Sequence, residues 1–135
     1  AQILDLLRDL VREMNMAAMI ITHDLGVVAQ YCDRVSVMFA GRIFEEGPIE
    51  SVFRDPRHPY TRALISSTPE KLDLSSDDTY AGAPPNLFAL PTGCYYVDRC
   101  AYAAEVCQQE PQTVNINDPH RALCHFASRV PETTS

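Results

Sequence analysis

Ala17, Ala18, Met19, Ile20 and Ile21 form an uninterrupted apolar run that stops abruptly at Thr22, His23 and Asp24. A run with no polar face is the pattern of a strand covered on both sides, as in a parallel sheet. Residues 17–22 are therefore expected to form a buried strand of an α/β fold. Ligands of open α/β sheets sit outside the carboxyl ends of the strands, which makes His23 a candidate ligand contact. A plainer alternative is that Asp24 caps the following helix and His23 is a solvated loop residue. The residues alone leave both readings open.

The flanking segments supply the rest of an α/β pattern. Ile3, Leu6, Leu7, Leu10 and Met14 recur at i, i+3, i+4 and i+7, the stripe of an amphipathic helix over residues 2–14 with Asn15 as its stop. On its polar face the pairs Asp5–Asp9 and Arg8–Arg12 are like-charged, so a solvated face is expected rather than one held by ion pairs. Residues 25–31 read as a second helix behind Asp24. Val35, Val37 and Phe39 alternate with Arg34, Ser36 and Met38 to give a strand. Ala40-Gly41 makes a turn, and residues 42–45 return as an antiparallel partner at the sheet edge. Pro48 suits the first position of a short helix ended by Asp55-Pro56, and Pro59 opens another.

Charge narrows the classes of function. The net charge is −7, with ten arginines and the single lysine Lys71, which argues against nucleic acid as a partner because such binding needs a basic face. No stretch approaches the ~18 uninterrupted apolar residues of a membrane span. The chain begins at Ala1 with neither an initiator methionine nor a leader pattern, and is expected to be an internal piece of a longer protein. Seven of ten prolines and four of five cysteines follow residue 68, so two unlike parts are expected. Residues 68–79 are polar and acidic, as in a linker. From Gly82 onward turns, prolines and cysteines leave little periodicity, and this segment is expected to have little core of its own.

The order helix, apolar strand, Thr-His-Asp, helix, Cys32-Asp33-Arg34, strand and Gly41-Arg42-Ile43-Phe44-Glu45-Glu46-Gly47 closely resembles the C-terminal third of the nucleotide-binding subunit of ABC transporters. The resemblance implies that His23 is the switch-loop histidine, which contacts the γ-phosphate of ATP and helps hold the attacking water. Phosphoryl transfer depends on positioning and charge stabilisation, so one imidazole donor is a sensible contribution. Arg57-His58-Pro59-Tyr60-Thr61-Arg62-Ala63-Leu64 further resembles the extension found in oligopeptide, dipeptide and nickel importer ATPases. His58 is expected to be structural there.

Cys94-x5-Cys100-x6-Cys107-x16-Cys124, within a Gly- and Pro-rich frame, is similar to the C-terminal module of peptide-importer ATPases. The resemblance implies that those four cysteines hold a 4Fe–4S cluster. Four thiols in a segment without a core favour metal over disulfides in a reducing cytosol. Spacings of five and six exceed those of a zinc knuckle and suit a larger cubane. Structural zinc, with His120 or His125 replacing a thiol, and disulfides after oxidation stay open. Arg99 beside Cys100 is a candidate for offsetting the negative charge of four thiolates. Cys32 is expected to be a small buried apolar residue.

The expected architecture is thus α/β: residues 1–55 as the C-terminal part of a P-loop ABC domain, 56–80 as extension helix and linker, and 81–130 as an irregular Cys-rich module. The resemblance implies an ATPase using ATP and Mg²⁺ at the cytoplasmic face of the bacterial inner membrane. Its partners would be a second ATPase subunit, membrane permease subunits and, indirectly, a peptide-binding protein. The P-loop, Q-loop, signature motif, Walker B residues and D-loop would precede Ala1, so this piece alone is expected to be inactive. The competing class is a non-enzymatic metal-binding, regulatory or interaction module.

Overall fold

A computed structural model describes residues 2–68 and 84–128. The chain divides into two compact units, residues 1–33 and 34–135.

In the first unit, α1 (Gln2–Glu13) ends where expected. Asn15 adopts φ 51°, and the amides of Asn15 and Met16 donate to Arg12 O at 3.3 Å and Val11 O at 2.9 Å. This is the paired closure that a left-handed residue after a helix permits. The polar face is solvated as expected, with Arg8 lying between Asp5 (3.4 Å) and Asp9 (3.5 Å). These pairs are solvent-exposed and add little stability. α2 (Leu25–Tyr31) is capped by Asp24, whose Oδ1 accepts from the amides of Gly26 (2.9 Å) and Val27 (3.2 Å). The Tyr31 hydroxyl donates to Asp5 Oδ1 at 3.1 Å and ties α2 to α1.

Residues 17–22 are not a strand, which corrects the expectation. Met19 and Ile21 are 89% and 93% exposed. A strand exists only through the ladder it shares with neighbours. The one sheet among the described residues consists of four other strands. Apolar side chains were present in the run, but pairing partners were not.

The second unit is built on that sheet. β1 (Arg34–Phe39) buries Val37 and Phe39 on one face and leaves Arg34, Ser36 and Met38 exposed. Ala40 (φ 49°) and Gly41 (φ 82°) make the two-residue turn into β2 (Arg42–Pro48), both in the left-handed region that this hairpin geometry requires. The pairing skips Phe44, since Val37 faces Glu45 and Met38 faces Ile43. Phe44 is thus the extra residue of a bulge, and Phe44 and Glu45 are both buried in succession. α3 (Ile49–Arg54) begins one residue later than expected, with Pro48 as its N-cap. α4 (Pro59–Ser66) starts at Pro59 as expected.

Single 3₁₀ turns at Val97–Arg99 and Glu105–Gln108 precede the hairpin of β3 (Thr113–Asn117) and β4 (His120–Leu123). The sheet is wholly antiparallel, in the order β1-β2-β4-β3, so β2 is an inner strand and not the edge. Mixed helices and sheet fit the α/β expectation, but among the described residues no strands pair in parallel. The Cys-rich segment shares a core with the earlier strands and α4. Cys94, Tyr96 and Cys107 pack with Val37, Phe39, Phe44 and Tyr60. Phe39 contacts the rings of Phe44, Tyr60 and Tyr96 with centroids 4.8–5.6 Å apart. Most of the expected linker lies outside the described residues.

Candidate functional site

The four late cysteines come together. Cys94, Cys100, Cys107 and Cys124 are free thiols, and each lies within electrostatic reach of the other three. The first and third are joined through the backbone, with the Cys94 amide donating to Cys107 O at 2.9 Å. Gly93 allows this approach, because a Cβ there would stand 2.2 Å from Cys107 O and 2.5 Å from Gln108 C. No side chain fits that space.

Three sulfurs accept hydrogen bonds from the amide two residues on. Tyr102 N donates to Cys100 Sγ and Phe126 N to Cys124 Sγ, both at 3.4 Å, and Tyr96 N donates to Cys94. Such bonds favour thiolate. Desolvation outweighs them. Burial raises the thiol pKa of Cys94 and Cys100, and pushes Cys124 to about 11. The amides pull these values back, and neighbouring thiols raise them again. Arg42 also lowers Cys94.

Four free thiols, three of them accepting from backbone amides, make up the donor set of this site. Among the described residues no three His, Cys, Asp or Glu side chains converge closely enough for a single metal ion. The histidines considered as substitutes are engaged elsewhere. Nε2 of His120 donates to Glu45 Oε1 at 2.7 Å, and Nε2 of His125 to Gln109 O at 2.9 Å. Cys32, expected to be buried, is half-buried at the C-terminal end of α2.

Residues that the sequence did not single out organise this site. Glu45, wholly buried, accepts from Arg57 N (2.8 Å, Oε1), His58 N (2.9 Å, Oε2) and His120 Nε2. It fastens β2 to the loop before α4 and to β4. Arg57 then pairs with Asp55 at 2.6 Å and donates to Ala127 O at 3.2 Å, which holds the turn after Cys124. His58 is structural, as expected. Its Nδ1 accepts from Tyr60 N at 3.0 Å and caps α4, while its ring stacks on Phe44 at 4.2 Å. Burial lowers its pKa to about 3, so it stays neutral.

His23 stands exposed in a bend just ahead of the Asp24 cap. No hydrogen bond ties its ring down among the described residues. Both sequence readings of this stretch are thus compatible with its geometry, with Asp24 capping and His23 accessible.

The family described as "Oligopeptide/dipeptide transporter, C-terminal region" matches residues 44–107. The chain is 48% identical over 130 residues to the oligopeptide transport ATP-binding protein OppD of Haemophilus influenzae, covering 95% of this chain and 40% of that protein. It is 49% identical over 113 residues to OppD of Salmonella typhimurium, covering 82% and 33%. To the dipeptide transport ATP-binding protein DppD of H. influenzae it is 43% identical over 127 residues, covering 93% and 38%. Residues 44–107 are the C-terminal region of the oligopeptide/dipeptide transporter family. The chain spans between a third and two fifths of the length of these curated relatives. The family match takes in the Glu45–Arg57–His58 knot and Cys94, Cys100 and Cys107. His23 and Cys124 lie outside that match. No helix among the described residues is long and apolar enough to cross a membrane.

Proposed function

We propose that the chain is the C-terminal portion of the ATPase subunit that powers peptide import across a bacterial inner membrane. The whole subunit would work at the cytoplasmic face, paired with a second ATPase subunit and docked on permease subunits that receive peptide from a binding protein. The observation that carries this reading is the 43–49% identity to oligopeptide and dipeptide transport ATP-binding proteins over 82–95% of the chain. Residues 1–55 would belong to the nucleotide-binding domain. The chain has no Gly-rich phosphate loop, and His23 is the one side chain we assign toward ATP and its Mg²⁺. Its accessible imidazole, placed by the capped turn at Asp24, would donate to the γ-phosphate.

The test is His23→Ala in the complete ATPase. Hydrolysis should fall by about 10²–10³, the usual effect of losing one preorganised donor, while nucleotide binding persists. Near-normal turnover would remove His23 from the mechanism.

A second reading concerns Cys94, Cys100, Cys107 and Cys124, which would hold a 4Fe–4S cluster. It is supported by four thiols that lie within electrostatic reach of one another and by amide donors on three of their sulfurs. When bound, the cluster would supply a covalent cross-link between loops and a one-electron redox centre. Reconstitution with iron and sulfide under argon should give a visible absorption band, and its absence would end this reading.

A further inference from the structure

The β1–β2 hairpin carries one residue whose side chain contacts both thiol-bearing loops. Arg42, the first residue of β2, lays its guanidinium over the Tyr95 ring, with Cζ 4.2 Å from the centroid. Its Nη2 pairs with Glu110 Oε1 at 2.9 Å. Tyr95 directly follows Cys94, and Glu110 lies just beyond the turn that holds Cys107. One guanidinium therefore spans the same two segments that the Cys94 amide and Cys107 carbonyl join through the backbone.

We propose that Arg42 is the positioning residue of the thiol site, a guanidinium clamp that closes the Cys94 loop onto the Cys107 segment and places positive charge near Cys94. The charge half of this inference rests on the iron–sulfur reading above. The clamp half does not.

The exposed Glu110 carboxylate makes the ion pair nearly worthless as a stabilising contact, so stability is no explanation for the arrangement. Geometry is a better one. A planar guanidinium stacks on a ring while its edge holds a carboxylate, which a lysine ammonium cannot reproduce. The Arg42 side chain is 31% exposed, so solvent screens its charge only in part. A thiolate-ligated cluster is anionic and becomes more so on reduction. A nearby cation favours the reduced form and raises the reduction potential. Sequence adjacency points to Arg99 for such a role, and the fold adds Arg42 from a strand more than fifty residues before Cys94.

Two measurements on the full chain test the proposal. In the first, wild type, Arg42→Lys and Arg42→Gln are reconstituted with ferrous iron and sulfide under argon and titrated electrochemically. Arg42→Gln should show a more negative midpoint and faster cluster loss. Arg42→Lys should keep the wild-type midpoint but lose cluster faster, a split that general destabilisation does not produce. An unchanged midpoint in Arg42→Gln overturns the charge role. In the second, the same proteins without iron are alkylated with iodoacetamide under native conditions and mapped by mass. Cys94 and Cys107 should react several-fold faster in both variants than in wild type, and equal rates overturn the clamp. If wild type takes up no cluster while the variants still expose Cys94, the iron–sulfur reading falls and the clamp stands.

Discussion

Glu45 has its side chain entirely out of water, and three donors from two other segments converge on it. A carboxylate in that position is tolerable only because every direction of approach is answered by an N–H. Its removal leaves His120 and two backbone amides buried without an acceptor. Glu45→Ala should therefore cost about 1–3 kcal/mol for each buried donor left without an acceptor, read as a lower urea midpoint at unchanged slope. His58 makes a separate prediction. Its pKa is lowered to about 3 in the folded chain by burial, against 6.5 when unfolded. Between those values the unfolded state takes up a proton that the folded state refuses. This stability is complete above pH 6.5 and lost as pH falls toward 3, at up to ~1.4 kcal/mol per pH unit. Wild type should lose about 2 kcal/mol from this group between pH 7 and pH 5. His58→Asn, which keeps a capping side chain, should lose correspondingly less over the same interval. Equal pH slopes in urea titrations would remove His58 as the cause.

At the scale of elements, the tightest constraint is the approach of residues 92–94 to residues 107–108. Thr92 Oγ1 reaches Gln108 O at 3.5 Å, and Gly93 leaves no room for a Cβ against backbone that cannot yield. Gly93→Ala should push the Cys94 loop away, at a cost of about 1–3 kcal/mol typical of overpacking. Limited proteolysis should then cut between residues 92 and 108 in the variant and not in wild type. The elements that were legible in sequence are those fixed by local chemistry. Asn15, Asp24, Asp55 and Pro59 mark helix ends through their own caps and dihedrals, and β1 alternates because one face is buried. β2 was read too short and at the wrong place in the sheet. Its bulge buries Phe44 and Glu45 in succession, and its second neighbour comes from far along the chain. For β3 a signal did exist, since Val114 and Ile116 alternate with Thr113, Asn115 and Asn117 before Asp118-Pro119. Glu45 had none, because its partner His120 is 75 residues away.

For the whole molecule, the balance between apolar exposure and net charge decides how copies behave toward each other. The stripe of α1 at Ile3, Leu6, Leu7, Leu10 and Met14 is exposed, and so are Met16, Met19 and Ile21. An amphipathic helix face and an apolar run without cover are the surfaces through which chains associate. A strand-like run with unused backbone donors and acceptors adds the option of pairing between chains. Opposing this, a net charge of −7 makes copies repel. That repulsion is screened beyond about 10 Å at 0.1 M salt, whereas apolar contact is not weakened. The 135-residue chain should therefore associate in a concentration-dependent way, and more strongly as salt is raised. Light scattering across a dilution series at low and high salt measures both trends. Leu6→Glu combined with Ile21→Glu should return the chain toward monomer, since each places a charge in the middle of one apolar surface. A wild-type chain that stays monomeric at every concentration and salt would show that these apolar surfaces do not drive association.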